Sequence, residues 1–338
     1  MALPIVSVIV PNYNHEGYLI QRLDSIFDQT YQNVEVILLD DASTDGSVAI
    51  LEDYKSHPKV SHLVVNQVNS GSLFKQWIKG LELAKGQYIW IAESDDYSDP
   101  DFLKFTVEAF EKHQKAGLVF TDSKVVDDSG QPLSVTSEMN TALKKLKDSG
   151  TTVIQDKSDL THNFISNLII WNASSVLFSK TAIDLIDFEV LKTLKNAGDL
   201  FSYLSIGLNT DIVFVHQQLN YFRTHHDNTT KRNILSGELF RDRMIVITHF
   251  VKNNTLGLES KTSLNNFLTR NFLTAVDFSY FKEVRALLKS YKSKQLISSK
   301  FYSKLKTYIL LYRILGKKLP YRFRNNIKQV LNEMAVHP

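Results

Sequence analysis

Between Tyr88 and Asp101 the sequence reads YIWIAESDDYSDPD, and no other stretch limits the possible folds as strongly. Its first five residues are rich in β-branched and aromatic side chains, as in a strand buried on both faces of a parallel sheet. Three carboxylates, Glu93, Asp95 and Asp96, follow directly. Carboxylates this close repel one another, and Mg²⁺ or Mn²⁺ relieves the repulsion because both ions prefer oxygen ligands. The stretch therefore predicts a metal site at the sheet edge where α/β proteins bind ligands.

A solvated helix cap is the alternative use of this acidic stretch. A helix is expected to begin at Pro100, since proline is favoured at the first helical position. Ser98 or Asp99 is then placed to act as its N-cap. The stretch by itself leaves the metal site and the cap open.

Strand and helix patterns alternate through about the first 120 residues. Continuous apolar runs predict strands, and apolar residues at helical spacing predict helices between them. Gly86 is expected to be the glycine that follows the third helix. Short connections between alternating elements predict an α/β fold, a doubly wound and mostly parallel sheet with helices on both faces. The predicted strands are 5–10, 34–39, 60–65, 88–92 and 118–121, and the predicted helices are 18–29, 47–55, 73–85 and 102–114.

Length and cysteine content narrow the class of protein. The chain has 338 residues, which is enough for one large domain with an appendage or for two domains. It has no cysteine, which excludes a disulfide framework, a thiolate metal site and a cysteine nucleophile, and which fits a cytoplasmic protein. The N-terminal MALPIVSVIV lacks the basic region and cleavage site of a secretory signal. No apolar run reaches the roughly 20 residues that span a bilayer.

Charge is distributed unevenly along the chain. Residues 281–338 hold fourteen Lys or Arg against two Glu, a net charge of +12, so the rest of the chain carries −9. Within this basic tail, residues 302–315 have the spacing of an amphipathic helix, which predicts a peripheral contact with an anionic membrane surface. A helical appendage with a solvated basic face, or a homodimer contact, is the alternative. Nucleic-acid binding is not expected, because the remainder is acidic and carries no nucleic-acid motif.

Several common site types are absent from the sequence. The first predicted strand is not followed by G-x-G-x-x-G, and neither the P-loop motif nor the G-x-S-x-G elbow occurs. Acidic residues instead follow two predicted strands, as Asp40–Asp41 and as Glu93 to Asp96. The ends of these strands lie side by side in a doubly wound sheet. One acidic group can then accept hydrogen bonds from a base or ribose while the other holds a metal on a diphosphate.

Four motifs resemble the N-terminal half of family 2 glycosyltransferases, which have the GT-A fold. They are PNYN at 11–14, DQTYQNVEVILLDDASTDGS at 28–47, NSG at 69–71 and AKGQYIWIAESDD at 84–96. The resemblance is close over about residues 4–125 and weaker to about residue 231. It implies an inverting, metal-dependent transferase that uses Mn²⁺ or Mg²⁺. Such an enzyme moves a sugar from a nucleotide-sugar donor, a UDP-sugar, to a glycan or lipid-linked acceptor in bacterial surface polysaccharide synthesis.

The resemblance assigns the nucleotide site to the first two loops. Pro11, Asn12 and Tyr13 would pack against the base, and Asp40 would bind the edge of a uracil. Asp41 would shape its loop, and Asp45 would cap the following helix.

The resemblance also assigns the metal and diphosphate positions. Glu93, Asp95 and Asp96 would hold the metal, and Asp95 would also contact the ribose. Glu93 departs from the family pattern, which commonly has Asp there. Many relatives carry Arg-Asn where this chain has Trp77-Ile78, so Lys75 is the candidate that supplies positive charge to a phosphate.

The second half of the chain carries the remaining assignments. Asp199 resembles the family's catalytic base, which must lie close to the acceptor hydroxyl. An N-cap role for Asp199 in the helix expected over 200–206 is the alternative. Arg223 and His225, within YFRTHHDNTT, resemble the segment that closes over the diphosphate, where Arg223 would pair bidentately with phosphate. Trp171 lies where relatives shape the acceptor pocket, and aromatic rings stack on sugars.

These assignments predict a GT-A glycosyltransferase domain over residues 1–235. Residues 1–125 would form its nucleotide-binding half and residues 126–235 its acceptor-binding half, followed by a helical region over 236–338 that is basic from residue 281. A sugar-nucleotidyltransferase is one alternative, although it would need a glycine-rich basic loop after the first strand. An inactive sugar-binding or scaffold protein is the other, although it would be expected to lose the acidic cluster or Asp199. The expected location is the cytoplasm or the inner face of the cell membrane.

Overall fold

A computed structural model describes residues 3–148, 153–155, 157–224, 237–252, 261–277, 280–293 and 297–315. The chain divides into two compact units. The first contains Met1–Gln155 and Leu168–Asn228, and the second contains Asp156–Asn167 and Thr229–Pro338. The division after residue 228 lies near the predicted boundary at 235. Residues 156–167 differ from the prediction, because they belong to the second unit.

The first unit is built on a ten-stranded sheet. From one edge to the other the order is β3-β2-β1-β4-β9-β6-β10-β5, with β7 on β6 and β8 on β10. The strands are β1 (Val6–Asn12), β2 (Val34–Asp40), β3 (Val60–Val65), β4 (Tyr88–Ile91), β5 (Tyr97–Ser98), β6 (Ala116–Val126), β7 (Pro132–Val135), β8 (Val153–Ile154), β9 (Val176–Ser179) and β10 (Asp211–Arg223).

The six strands β1, β2, β3, β4, β6 and β10 run in one direction, as predicted for a doubly wound sheet. β9 runs against β4 and β6 and joins them. β6 is longer than predicted because it pairs with β10 along its length. It also crosses the predicted division at residue 125, so residues before and after that point share one sheet.

Helices cover both faces of this sheet. Val6, Val8 and Val10 of β1 point to the face covered by α1, α2 and α4, since alternate strand residues point the same way. Ile9 points to the opposite face, where α3 packs on β1. The helices of the first unit are α1 (Glu16–Phe27), α2 (Ser47–Tyr54), α3 (Leu73–Leu83), α4 (Phe102–Lys112), α5 (Thr136–Met139), α6 (Thr141–Asp148), α8 (Lys180–Ile183), α9 (Phe188–Leu191) and α10 (Gly198–Gly207), with a 3₁₀ turn at Ala173–Ser175.

Two glycines permit close approach of elements to β1. A Cβ on Gly80 of α3 would lie 2.3 Å from Cγ2 of Ile9. The predicted role of Gly86 as a helix-ending glycine is wrong, because α3 ends at Leu83 and Gly86 does not adopt a positive φ. A Cβ on Gly86 would lie 2.6 Å from the backbone nitrogen of Ser7. The residue is therefore small so that the chain can pass β1.

The described part of the second unit is helical, as predicted. Its last helix buries Leu305, Ile309 and Tyr312, while Leu310 and Ile314 are 55% and 70% exposed. Within the described residues, no helix has the length and apolar character needed to cross a membrane. The helices are α7 (Lys157–Leu160), followed by a π-helical turn at Thr161–Ser166, then α11 (Glu238–Lys252), α12 (Lys261–Asp277), α13 (Phe281–Ser293) and α14 (Ser299–Leu315).

Candidate active site

The acidic loop, residues 93–96, follows β4 at the carboxyl edge of the sheet. Glu93, Asp95 and Asp96 each offer a carboxylate oxygen within 4.8 Å of the other two. Oxygen donors at this spacing suit a divalent cation. The helix expected from Pro100 begins at Phe102 with Asp101 as its N-cap residue, and of the two expected caps only Asp99 makes a cap-like contact, accepting a hydrogen bond from the Asp101 N–H at 3.0 Å.

Asp96 is held by groups from distant parts of the chain. Its Oδ1 accepts a hydrogen bond from the backbone N–H of Arg223 at 2.9 Å, and its Oδ2 accepts one from Nδ2 of Asn172. Burial, and then the neighbouring charge of Asp95, raise the pKa of Asp96 to about 7. The side chain is therefore oriented by the fold, and its negative charge is disfavoured until a cation offsets it.

The backbone of Glu93 is fixed from both sides. Nε of Arg22 donates to the Glu93 carbonyl at 2.8 Å, and the Glu93 N–H donates to Oγ of Ser174 at 3.1 Å. Burial raises the pKa of Glu93 well above its usual range, and the charges of Asp95, Asp96 and Asp199 add to the effect. Repulsion of this kind is what a bound cation would relieve, so the residues present fit a divalent metal.

Asp199 lies within electrostatic range of the acidic loop. It stands in the first turn of α10, where its Oδ1 accepts a hydrogen bond from the Leu200 N–H at 2.7 Å. Its charge and that of Glu93 both act on buried Tyr203, whose pKa is raised first by burial. The alternative N-cap role is wrong, because Ala197 is the N-cap residue. The fold thus brings the predicted base and the predicted metal ligands together.

The predicted base-binding residues form a wall between the first two loops. Asp40 is fully buried, and its carboxylate accepts hydrogen bonds from Nδ2 of Asn12 at 2.8 Å and from the N–H and Oγ of Ser43. Oδ1 of Asn12 is buried and has no hydrogen-bond partner among the described residues. Pro11 is buried, whereas Tyr13 is 44% exposed and offers a ring at the edge of this wall.

Asp45 shapes the loops as predicted, but its expected role as the N-cap of the following helix is wrong, because Gly46 is the N-cap residue of α2. Asp45 accepts hydrogen bonds from the backbone N–H of Ser47 and of Glu16, the first residues of α2 and α1. Glu16 in turn accepts one from the Gly46 N–H at 2.9 Å. This exchange ties the two loops together, which keeps the wall between them in one arrangement.

Asp41 fixes the NSG loop, and the amine of Lys75 is hydrogen-bonded to the same loop. Its carboxylate accepts hydrogen bonds from Asn66, from the N–H and Oγ of Ser70, and from Gln76. Lys75 is exposed, and its Nζ donates to the Ser70 carbonyl at 2.8 Å. The amine is thereby held by the same loop that Asp41 orders.

Arg223 has a geometry that differs from the predicted bidentate contact with phosphate. Its guanidinium donates to the carbonyls of Asp95, Asp127 and Asp128 and to Gln21, which occupies four of its five N–H groups. The guanidinium carbon also lies 4.8 Å from the centroid of the Tyr18 ring. In this arrangement Arg223 positions the acidic loop.

Two other predicted residues have different outcomes. His225 lies outside the residues that the structure describes, so its contact with the diphosphate stays a prediction. Trp171 is half-buried and precedes Asn172, the residue that holds Asp96. Its contact with the acceptor also stays a prediction.

Three residues that hold the loop were assigned no such role by sequence reasoning. Asn172 and Ser174 lie in the WNASS segment, in which only Trp171 was predicted to have a role. The burial of Arg22 could have been inferred from the sequence, because Arg22 lies on the same face of α1 as the apolar residues Leu19, Leu23 and Ile26. A charged residue on an otherwise apolar face indicates a buried partner.

Comparison with known proteins agrees with this geometry. Residues 7–160 match the family model described as Glycosyl transferase family 2. TuaG of Bacillus subtilis (strain 168), named for teichuronic acid biosynthesis, is 35% identical over 130 residues, which are 38% of this chain and 51% of TuaG. The chain therefore spans about half the length of this relative, and it covers only 19% of the chondroitin synthase of Escherichia coli.

Solved structures extend the likeness over nearly the whole chain. S. aureus TarS 1–349 in complex with UDP superimposes with a TM-score of 0.60 at 19% identity, covering 97% of this chain and 90% of that one. The mannosyltransferase PcManGT from Pyrobaculum calidifontis, in complex with GDP-Man and Mn²⁺, gives a TM-score of 0.58 at 15% identity, with 98% and 85% covered. At these identities the likeness establishes the GT-A type of fold.

Proposed function

Residues 7–160 belong to glycosyl transferase family 2, and from that premise we propose that the chain is an inverting glycosyltransferase. It moves a sugar from a nucleoside-diphosphate sugar to a hydroxyl of a glycan or lipid-linked acceptor. The observation that carries the proposal is the position of Asp199, whose charge acts on Glu93 of the acidic loop. A direct displacement needs a base close to the group that binds the diphosphate, and the electrostatic interaction of Asp199 with Glu93 supports this pairing.

The donor in this proposal is a UDP-sugar. TarS has been solved with UDP and with UDP-GlcNAc, and its fold is similar to that of this chain. A uracil would lie against Tyr13, with its N–H directed to Asp40 or to the unpaired Oδ1 of Asn12. The ribose would contact Asp95.

The reaction needs one proton transfer and stabilisation of a leaving group. Asp199 accepts the proton of the acceptor hydroxyl as the new bond forms. Arg22, Arg223 and Asn172 keep the acidic loop in place while this happens. Glu93, Asp95 and Asp96 would hold a divalent cation, Mn²⁺ or Mg²⁺, which would supply positive charge to neutralise the departing diphosphate. Lys75 and His225 are the side chains proposed to approach that diphosphate.

The acceptor is proposed to be a growing bacterial surface polysaccharide. TuaG is named for synthesis of one such polymer, and Trp171, which precedes the Asn172 that donates to Asp96, is the ring proposed to stack on an acceptor sugar. The proposed place of this reaction is the cytoplasm.

We further propose that the second unit binds the inner face of the cell membrane. Leu310 and Ile314 are exposed one turn apart on α14, and Lys306 and Arg313 are exposed on the same helix. An exposed apolar pair among basic residues suits an anionic lipid surface. Co-sedimentation with vesicles containing phosphatidylglycerol, compared with phosphatidylcholine alone, tests this contact. Dimer formation through the same helix would instead appear as a concentration-dependent mass in solution.

The first experiment is a thermal-shift titration with UDP, GDP, CDP and dTDP, each with and without Mn²⁺. A ligand present at about a hundred times its dissociation constant adds about 2.7 kcal/mol to the free energy of unfolding. Stabilisation by UDP that requires Mn²⁺ is the expected result. Stabilisation by another nucleotide would overturn the uracil assignment, and no shift with any nucleotide would overturn the transferase proposal.

A further inference from the structure

Arg22 is the most deeply buried charged group near the acidic loop. It extends from α1 beneath the end of β4 and has no exposed surface. Its Nε donates to the Glu93 carbonyl at 2.8 Å, and its guanidinium carbon lies 5.4 Å from the centroid of the Trp90 ring. In the described part of the chain, the guanidinium of Arg22 makes this one hydrogen bond and lies over this one aromatic ring.

The two terminal nitrogens of Arg22 are left without partners. Neither Nη1 nor Nη2 makes a hydrogen bond to any residue that the structure describes. Burial of an unpaired charge is costly, so some other interaction must offset it. Burial lowers the pKa of Arg22 to about 10, and the charges of Asp96, Asp95 and Glu93 act in the opposite direction and favour its charged form. The offset therefore comes from charge at a distance.

Arg22 and Arg223 consequently hold the acidic loop in different ways. Arg223 occupies four N–H groups with oxygen atoms, three of which are main-chain carbonyls. Arg22 gives the loop a single hydrogen bond together with a full positive charge. The contribution of Arg22 should thus depend on its charge more than on its hydrogen bonding.

We propose that Arg22 is a built-in counter-cation of the acidic loop. Its charge holds the three carboxylates together when no divalent cation is bound, and it repels that cation when one binds. Arg22 is thereby a positioning residue that sets the metal affinity of the site. The inference rests on the proposed metal site, and it adds a residue on the side of the cluster away from the solvent.

The proposal predicts that removing this charge strengthens metal binding. Arg22→Gln keeps a donor for the Glu93 carbonyl and loses the charge, so Mn²⁺ should bind about tenfold more tightly. Arg22→Lys keeps the charge and should bind Mn²⁺ as the wild type does. The melting temperature without metal should fall in Arg22→Gln, and saturating Mn²⁺ should raise it by more than in the wild type.

The experiment measures Mn²⁺ alone, with no nucleotide, by titration calorimetry at about pH 8, which is above the pKa of about 7 of Asp96 in the folded protein. Lys55→Gln is the matched control, because Lys55 is exposed in the same unit and pairs only with Glu52 among the contacts described. This variant should bind Mn²⁺ as the wild type does. Arg22→Met is the second charge-free variant, since an apolar side chain of similar length often replaces a buried charge without loss of stability.

The possible results separate this inference from the proposed function. Tighter binding in Arg22→Gln or Arg22→Met, with Arg22→Lys unchanged, supports the counter-cation. Equal or weaker binding in both charge-free variants overturns it, as does tighter binding in Arg22→Lys. If the wild type itself binds no Mn²⁺, the proposed metal site is wrong and the inference falls with it.

Discussion

Two acidic groups follow two parallel strands of the same sheet, β2 and β4, which have β1 between them, and the two groups have different roles. After β2, Asp40 accepts three hydrogen bonds and Asp41 accepts four. After β4, Glu93 and Asp96 have raised pKa values because burial and mutual repulsion disfavour their charges. Asp40 and Asp41 are stabilised by hydrogen bonds within the protein, whereas the charges of the acidic loop would be stabilised by a bound cation.

The difference lies in where the hydrogen-bond donors come from. Ser43 and Ser70 lie in loops close to the end of β2, where Ser43 donates a hydrogen bond to Asp40 and Ser70 donates one to Asp41. The loop after β4 brings no such set, and its anchors are Asn172 and Arg223, which come from far along the chain. An acidic strand end is thus a scaffold where nearby donors are plentiful, and a candidate metal site where they are few.

Asp96→Ala should have the largest effect, because it removes a carboxylate from the group that needs a cation. We expect turnover to fall about a thousandfold or more, together with loss of metal-dependent nucleotide binding. Release of UDP from a UDP-sugar measures the first, and a thermal shift with UDP and Mn²⁺ measures the second. An unchanged circular dichroism spectrum serves as the folding control, and full activity in this variant would refute the metal site.

Asp199→Asn tests whether the β4 end shares its pocket with a base. The amide cannot accept a proton, so kcat should fall about a hundredfold or more while the affinity for the nucleotide stays nearly the same. Steady-state kinetics with the acceptor and calorimetry with UDP separate the two quantities. Retention of full activity would show that the base lies elsewhere.

Lower pH should weaken metal binding at the β4 end. Asp96 has a pKa of about 7 in the folded protein, against 3.8 ordinarily, so folded protein keeps this proton over a range in which unfolded chain has lost it. The free energy of unfolding of the metal-free protein should therefore fall as the pH rises from about 4 to about 7. Mn²⁺ affinity should fall about tenfold for each pH unit below about 7 per carboxyl that must lose its proton. Calorimetric titration across this range checks the slope, and a flat profile would contradict the assignment of Asp96.

Asp41→Asn should have the smallest effect on the site, because the β2 end is a scaffold. The new amide group would face Asn66, Ser70 and Gln76, all of which are donors, so we expect a loss of about 2 to 3 kcal/mol in the free energy of unfolding. Urea denaturation measures this loss. Mn²⁺ affinity of the folded variant should stay within roughly a factor of two of the wild type. A large change in affinity would mean that the two acidic ends are not independent.

The sequence was informative wherever the signal was local. The strand over 88–92 and its acidic end were predicted closely, because an apolar run followed by carboxylates needs no knowledge of other elements. The same holds for Asp45, whose contact with the start of α2 comes from the Ser47 N–H two residues later. The place of β9 between β4 and β6, against their direction, carries no local signal.

The contacts of the site were less predictable for the same reason. Arg223 belongs to a recognised segment, yet its guanidinium turns toward main-chain carbonyls that only the folded chain brings near it. Asn172 and Arg22 serve the loop through contacts that span many residues, which no periodicity reveals. Residues 156–167 pack in the second unit although residues on both sides of them belong to the first. A prediction that divides the chain at single positions cannot describe such an insertion.

The remote anchoring of the acidic loop has a consequence for how the protein is made. Asp96 accepts hydrogen bonds from Asn172, which lies 76 residues later in the chain, and from Arg223, which lies 127 residues later. A nascent chain that has emerged through residue 160 can pair β1 with β2 and β4 before either anchor has left the ribosome. Contacts of such long range form late, since their ordering cost must be met before they contribute. In refolding, Mn²⁺ binding should therefore recover after the central strands have formed.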